Sequence, residues 1–396
     1  MRLEIVHKLV AAMKLKLSDE EESALRATPT ANVVAYDYYL RGRSLMRQPD
    51  RYPLSTAIQT LELAVRTDSN FAAAQSALGW VHVLAYEAAE EPVPSHIVQA
   101  TTCVQRAVSL GSRSSETFRV WGMIEQFHSD YAKAVERFEQ AVSISPSDAE
   151  SQRRLAIASA AKDRIDGALK AAQRAATDDP SNIASYTILG LVQQYKADKE
   201  KLGSIAYKDA LRAALRSYEQ GLRLARDRSE YGSGLYADVL VYLQQADRAV
   251  EILNDRLARA RQSHVEYYKL GRIEQSAGKP KQEWQSVFLR AKDLLATRLA
   301  AQPDDAVALS YLALVHTRLG EFKEAIAASS RAQQLAPDHI EVLYNIARMY
   351  ALQREKNQAL EYLGKAVNRR YSLASILDMD FFNLHSEPEF VSTVIR

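Results

Sequence analysis

The chain is poor in cysteine, proline and glycine, and each scarcity excludes a class of structure. Its 396 residues include 14 glycines and 11 prolines, which is low for a chain of many turns and short strands. The single cysteine, Cys103, excludes an internal disulfide, and its apolar helical surroundings predict a small buried side chain. No apolar run approaches the roughly 18 residues of a membrane-spanning helix. These absences disfavour a sheet protein, a disulfide-stabilised protein and a membrane-spanning one.

An excess of one charge and a leader sequence are also missing. The 51 basic and 49 acidic residues give a net charge of +2, whereas a dedicated nucleic-acid surface needs a clear basic excess. In the first residues, "MRLEIVHKLVAAMKLKLSDEEE", His7 and Lys8 interrupt the apolar patches, and no small-residue cleavage site follows. This pattern indicates an amphipathic helix and not a signal peptide. We therefore expect a cytoplasmic protein that binds no nucleic acid.

No catalytic or metal-binding constellation is found in the sequence. The eight histidines are dispersed, without the H-E-x-x-H spacing of a metal site, and no G-x-S-x-G nucleophile elbow is present. The stretch "GRIEQSAGKP" at 271–280 has glycines too far apart for a phosphate loop, and Pro280 replaces the metal-binding hydroxyl residue. We therefore expect neither enzyme activity nor a cofactor or metal.

One apolar pattern recurs along the chain. In "DYAKAVERFEQAVSISPSD", residues 130–148, Ala134, Phe138 and Ala141 share one helical face. Two of these three side chains are only methyl groups, so the face can approach another helix closely. Pro146 then ends the helix, because it has no N–H and its ring clashes with the preceding turn. Related copies start near residues 35, 72, 115, 149, 183, 230, 264, 306 and 340.

The order large-x-x-Leu-Gly/Ala-x-x-Tyr, followed by Ala-x-x-x-Phe-x-x-Ala-x-x-x-x-Pro, resembles the tetratricopeptide repeat. The resemblance covers residues 35–373. It implies an all-α fold, a right-handed α-solenoid of about nine helix pairs, in which stacked neighbours bury the faces that no pair buries alone. Residues 1–34 are then an N-terminal helical segment, either a cap or the tail of a TolB-like domain, and residues 374–396 are C-terminal capping helices.

Both ends are similar to segments that flank such arrays. Residues 3–45, with the word "AYDYYLRGR", resemble the junction between a TolB-like domain and the repeats of bacterial signalling proteins. In the C-terminal stretch, Ser386 and Glu389 form a capping-box pattern. The resemblance implies the sensory or regulatory arm of a bacterial signalling protein. The alternatives are the regulatory half of a cyclase or kinase whose catalytic domain lies outside this chain, and a small-ligand receptor with an apolar internal pocket.

In this repeat class the first helix of each pair lines the concave groove. Its groove positions carry arginines and aromatic residues, which are enriched in binding hot spots, and arginine binds carboxylates with two parallel hydrogen bonds. Acidic groove positions are fewer: Glu116, Glu150, Asp238 and Glu341. The candidate binding residues are Arg43, Trp80, Arg119, Arg153, Tyr268, Arg272, Tyr344 and Arg348. We expect the partner to be a protein or peptide segment, acidic or C-terminal.

Arg272 and Arg348 are expected to contribute most to binding. Each has a tyrosine four residues before it, Tyr268 or Tyr344, whose ring can stack on the peptide or on the guanidinium. Reversing both charges to Glu is expected to weaken binding by more than about tenfold. Neither arginine belongs to the small-residue stripe, so stability is expected to change little.

Overall fold

A computed structural model describes residues 30–47, 53–88, 94–128, 130–201, 203–224, 233–259, 263–367, 378–384, 387 and 389–390. Within these residues the chain is helical and has no strand. It forms two compact units, Met1–Ile124 (unit 1) and Glu125–Arg396 (unit 2). The prediction of an all-α helical-repeat solenoid is confirmed.

The described part of unit 1 contains two complete helix pairs and one further helix. Each first helix packs on its second helix, α1 on α2 and α3 on α4, and α2 packs on α3. The core between α1 and α2 is built from Ala35, Tyr39, Ala57 and Leu61, all buried. The helices are α1 Val33–Met46, α2 Leu54–Thr67, α3 Ala72–Ala88, α4 Ser95–Ser109 and α5 Ser115–Phe127, which continues into unit 2.

Unit 2, described by itself, has the same arrangement of helix pairs. Its first helices also pack on one another, α11 on α13, α13 on α15 and α15 on α17, so they line one face. The helices are α6 Tyr131–Ile144, α7 Ala149–Ala161, α8 Ile165–Asp178, α9 Ile183–Asp198, α10 Ile205–Leu224, α11 Ser233–Tyr242, α12 Ala246–Arg259, α13 His264–Ser276, α14 Lys281–Ala301, α15 Ala306–Leu319, α16 Phe322–Leu335, α17 Ile340–Leu352 and α18 Lys356–Val367. A 3-10 helix, Met379–Leu384, packs on α17.

Helix α6 illustrates how the repeat sequence directs the structure. Asp130 caps its start by accepting a hydrogen bond from the Lys133 backbone N–H at 3.1 Å, which satisfies one of the unpaired N–H groups of the first turn. Its stripe of Ala134, Phe138 and Ala141 is fully buried. The helix ends at Ile144, just before the proline predicted to stop it.

The domain boundaries remain predictions. Residues 1–29 of the predicted N-terminal segment lie outside the described residues, and so does Ser386 of the predicted capping box. In the predicted C-terminal cap, Phe381, Leu384 and Phe390 are buried in a core shared with α17 and α18. This part of the cap contains a 3-10 helix, and the last helical residues described are 389–390.

The close contact between α9 and α10 predicts how a substitution at Gly190 in α9 affects stability. A Cβ there would lie 2.6 Å from Cε1 of the buried Tyr218 on α10, whereas a Cβ at Gly167 in α8 meets nothing within 4 Å. We expect Gly190→Ala to lower the free energy of unfolding by about 1–2 kcal/mol, because overpacking exceeds the gain in helix propensity. Gly167→Ala should leave it unchanged or raise it by up to about 1 kcal/mol. Urea denaturation followed by circular dichroism measures both, and equal effects would contradict the close approach.

Candidate functional site

The structure places the eight predicted binding residues in three locations. In unit 1, one group is formed by Arg43, Trp80 and Arg119. In unit 2, Arg153 lies on α7, away from the others in sequence. The remaining four, Tyr268 and Arg272 on α13 with Tyr344 and Arg348 on α17, converge on one short acidic segment of the same chain.

The unit 1 group surrounds a carboxylate of its own unit. Glu116 Oε2 lies 3.0 Å from Arg43 Nη2 and 3.7 Å from Arg119 Nη2. The Arg119 guanidinium carbon lies 4.4 Å from the centre of the Trp80 ring, within the range of a cation–π contact. Arg43 also donates a hydrogen bond of 2.6 Å to the Tyr39 hydroxyl. The predicted arginines therefore face a groove acid and stack on aromatic rings.

Arg153 joins two consecutive first helices. Its Nη2 lies 2.6 Å from Glu150 Oε2 on the same helix, and its Nη1 donates to Ser185 Oγ on α9 at 2.9 Å. Burial opposes the ionisation of Glu150, but Arg154 and Arg153 outweigh it and lower the pKa of Glu150 to about 2. Arg153 is thus a buried connector, 8% exposed.

Arg272 and Arg348 bind two aspartates from the far end of the chain. Arg272 Nη1 lies 2.6 Å from Asp378 Oδ1, and Arg272 Nη2 lies 2.6 Å from Asp238 Oδ1 on α11. Arg348 Nη2 lies 2.7 Å from Asp380 Oδ2, and Arg348 Nε lies 3.2 Å from Asp378 Oδ2. The two arginines therefore hold residues 378–384, which we call the C-terminal segment.

The two predicted tyrosines complete the contacts to the same carboxylates. Tyr268 donates its hydroxyl proton to Asp380 Oδ2 at 2.7 Å, and Tyr344 donates to Asp378 Oδ2 at 3.0 Å. The Arg348 guanidinium carbon lies 5.0 Å from the centre of the Tyr268 ring. The same carbon lies 5.7 Å from the centre of the ring of Tyr344, four residues before Arg348, which is the spacing from which stacking was predicted.

Sequence reasoning missed a third arginine, Arg318 on α15. Its Nη2 pairs with Asp380 Oδ1, and its Nη1 donates to Gln275 Oε1 at 2.7 Å. Arg318 lies one position beyond the last groove position considered in its repeat, so it was not selected as a binding residue. Its positive charge and its place on a first helix were the signals that could have identified it. We call Tyr268, Arg272, Arg318, Tyr344 and Arg348 the Arg–Tyr cluster.

The charges of the Arg–Tyr cluster keep Asp380 ionised. Burial disfavours a charged Asp380, but Arg348, Arg318 and Arg272 outweigh burial and hold the pKa of Asp380 well below its usual range. Burial, opposed by Arg272 and reinforced by Asp378, raises the pKa of Asp238 to about 7. Asp380 is thus the carboxylate that the Arg–Tyr cluster stabilises most clearly in its charged form.

Burial corrects one expectation from the sequence. Arg272 and Arg348 are 4% and 7% exposed, whereas the reversal of their charges was expected to change stability little. Both side chains are buried where they contact the C-terminal segment. Charge reversal would place buried carboxylates against Asp378 and Asp380, so we now expect it to lower stability.

Apolar residues fix the other half of the C-terminal segment. Phe381 is fully buried, with its ring centre 5.6 Å from that of Tyr344 and 5.8 Å from that of Phe390. Asn383 donates from Nδ2 to the backbone carbonyl of Ala351 at 2.7 Å. The segment thus presents carboxylates to α13, α15 and α17, and aromatic surface to α17.

The part of the chain that the structure describes has neither of two other features, a metal site or a membrane span. It contains no group of three or more histidine, cysteine or acidic side chains arranged to hold a metal ion. None of its helices combines the length and the apolar character that crossing a membrane requires.

Comparison with known proteins identifies the repeat. Two tetratricopeptide-repeat family profiles match residues 128–190 and 304–372. The fold is similar to that of the human IFIT1 dimer solved with m7Gppp-AAAA, at 16% identity and a TM-score of 0.53, over 85% of this chain and 77% of that one. A monomeric IFIT1 mutant solved with Gppp-AAAA gives 15% identity and a TM-score of 0.54, over 84% and 76%. No curated protein sequence matches the chain.

Proposed function

Because the chain is a tetratricopeptide-repeat protein, we propose that it binds an acidic protein segment through the Arg–Tyr cluster. The tetratricopeptide-repeat fold typically serves as a non-catalytic scaffold suited to protein binding. One observation carries this proposal. Three guanidinium groups and two phenol hydroxyls on α13, α15 and α17 hold Asp378 and Asp380 of an acidic stretch. These groups are hydrogen-bond donors, as carboxylates require, and they are spaced so that they contact two carboxylates at once.

The chemistry favours side-chain carboxylates over a C-terminal one. Hydrogen bonds to ionised groups are about twice as strong as those between neutral groups, and the Arg–Tyr cluster receives two carboxylates at once. A single terminal carboxylate would use only part of these donors. An acidic segment within a chain is therefore the better ligand, and a free C-terminus is the second one.

We further propose that this binding serves regulation. The similarity of residues 3–45 to the junction in bacterial signalling proteins supports a role as their sensory or regulatory arm, in the cytoplasm and without catalytic activity or a cofactor of its own. The alternative is the regulatory half of a cyclase or kinase whose catalytic domain lies outside this chain. The genomic reading frame upstream of Met1 distinguishes the two.

Nucleic acid is the competing ligand class, because the IFIT1 structures were solved with capped or triphosphorylated oligonucleotides. That likeness is one of fold. In this chain the groups that Arg272 and Arg348 hold are carboxylates, and the net charge is only +2. We therefore propose that the Arg–Tyr cluster takes acidic protein segments and not RNA ends.

The proposal predicts charge-dependent peptide binding. The probe is a fluorescent peptide of the sequence SILDMDFFNLHSE, residues 375–387, titrated by anisotropy against the full-length D378N/D380N variant, whose own carboxylates are neutral. We expect saturable binding, at least about tenfold tighter than for the same peptide carrying Asp378→Asn and Asp380→Asn, because each bond to a charged group is worth about 1.5–3 kcal/mol.

Two controls accompany this titration. The triphosphorylated oligonucleotide PPP-AAAA tests the nucleic-acid alternative and is expected to bind more weakly than the acidic peptide. Equal binding of the acidic and neutral peptides would contradict the proposal, as would tighter binding of the oligonucleotide.

A further inference from the structure

We propose that the C-terminal segment is an intramolecular ligand of the Arg–Tyr cluster, and that partner segments with the arrangement Asp-x-Asp-aromatic compete with it. This inference rests on the proposed function and adds the ligand class and the mode of regulation. In the resting chain the site is occupied by Asp378 and Asp380. A partner binds by displacing them.

The first argument concerns which contacts a terminal cap requires. A cap has to cover the last helix pair, α17 and α18, and Phe381, Leu384 and Phe390 do so by joining the core of that pair. The two aspartates reach further, to Arg318 on α15 and to Arg272 on α13, two pairs earlier in the array. A segment that only caps the last helix pair does not need to contact Arg318 and Arg272. A segment that occupies a ligand site formed by these arginines has to contact them.

The second argument concerns the position of the ion pairs within each repeat. Arg272 and Arg348 both occupy the ninth position of their repeats, and Asp238 occupies the ninth position of the repeat before Arg272. Repeat proteins use the surface formed by such positions to bind their ligands. The C-terminal segment therefore lies where a ligand from another chain would lie.

The third argument concerns the local shape of the segment, which defines the ligand motif. Asp378 Oδ1 accepts a hydrogen bond of 3.0 Å from the Asp380 backbone N–H, as in an Asx-turn, and Asp378 O accepts one of 3.0 Å from the Phe381 N–H. This turn directs the two carboxylates toward the same arginines. Phe381 follows directly and packs against Tyr344. A competing segment therefore needs two carboxylates two residues apart and an aromatic side chain next to the second.

Tethering makes the self-occupied state resistant to weak competitors. A segment attached to the same chain has an effective concentration on the order of millimolar when its tether spans the distance. A partner segment of equal intrinsic affinity therefore binds the native chain poorly. A partner that is tighter, or that has a second contact, displaces the segment and releases it.

The test compares three full-length proteins for binding of the SILDMDFFNLHSE peptide. They are the native chain, the D378N/D380N variant, and a matched control, D209N/D304N, which removes two exposed carboxylates, each paired only at the surface. We expect the D378N/D380N variant to bind the peptide at least tenfold more tightly than the native chain, and the control to behave like the native chain.

The possible outcomes separate the inference from the proposed function. If the native chain and the D378N/D380N variant bind the peptide equally well, self-occupation is wrong and the binding function stands. If neither binds, the proposed function itself is wrong. Circular dichroism verifies that each variant is folded.

A second measurement uses only the native chain, so it does not depend on the folding of a variant. Excess peptide, with norleucine in place of Met379 to separate the masses, is added during hydrogen exchange. We expect saturable acceleration of amide exchange in residues 378–384 of the full chain. Exchange that stays unchanged at saturating peptide would overturn the proposal.

Discussion

Replacing Arg348 with methionine is expected to lower the free energy of unfolding by about 3–5 kcal/mol. Arg348 contacts both Asp378 and Asp380, and it donates from Nη1 to Asn345 Oδ1 at 3.0 Å. Methionine retains much of the side-chain volume but removes the charge, so it leaves buried carboxylates that are only partly compensated. Urea denaturation of the full-length variant, followed by circular dichroism, measures the loss.

The matched control for this prediction is an exposed arginine. Arg331 pairs with Asp304 at 3.0 Å, with side chains 53% and 76% exposed, and such surface pairs contribute about 0–1 kcal/mol. Arg331→Met should therefore cost less than about 1 kcal/mol. Equal losses for Arg331→Met and Arg348→Met would mean that Arg348 is not a buried partner of the C-terminal segment.

Replacing Phe288 with alanine is expected to cost about 3–5 kcal/mol of unfolding free energy, because it opens a cavity between α13 and α14. Phe288 is fully buried, its ring centre lies 5.8 Å from that of Tyr268, and its Cε1 lies 2.9 Å from where a Cβ on Gly271 would be. Leu289, the next residue, is 45% exposed. Leu289→Ala should therefore stay within about 0.5 kcal/mol of the native chain.

The same pair of helices offers an internal check. Gly271→Ala is expected to destabilise the native chain, because its methyl group would meet the Phe288 ring. In the Phe288→Ala background the ring is absent, so Gly271→Ala should cost less. Purely additive losses, measured by the same denaturation, would contradict the packing of Gly271 against Phe288.

The fold was predictable because the signal for each helix pair is local. The stripe of Ala134, Phe138 and Ala141 repeats at nearly regular spacing, and an aspartate cap and a proline mark the ends of its helix. The resemblance to the repeat family, which rests on this spacing, indicated both the first helices and the groove positions on them. The prediction that tyrosines accompany Arg272 and Arg348 rested on the same periodicity.

The occupant of the Arg–Tyr cluster was not predictable in this way. Asp380 is 112 residues from Tyr268 and 32 from Arg348 along the chain, and it lies beyond the last repeat, where the period no longer applies. Arg318 was missed because it lies one position beyond the groove positions read in its repeat, although its side chain pairs with Asp380. Long-range ion pairs depend on how the helix pairs stack, and no single repeat encodes that arrangement.

A double-mutant cycle between Arg348 and Asp380 tests the central claim most directly. The free energies of unfolding of the native chain, Arg348→Met, Asp380→Asn and the double variant are measured in urea. If Arg348 holds the C-terminal segment through Asp380, the double variant loses less than the sum of the two single losses, by about 1–3 kcal/mol. Losses that add within about 0.5 kcal/mol would contradict the claim that the Arg–Tyr cluster binds the chain's own acidic segment.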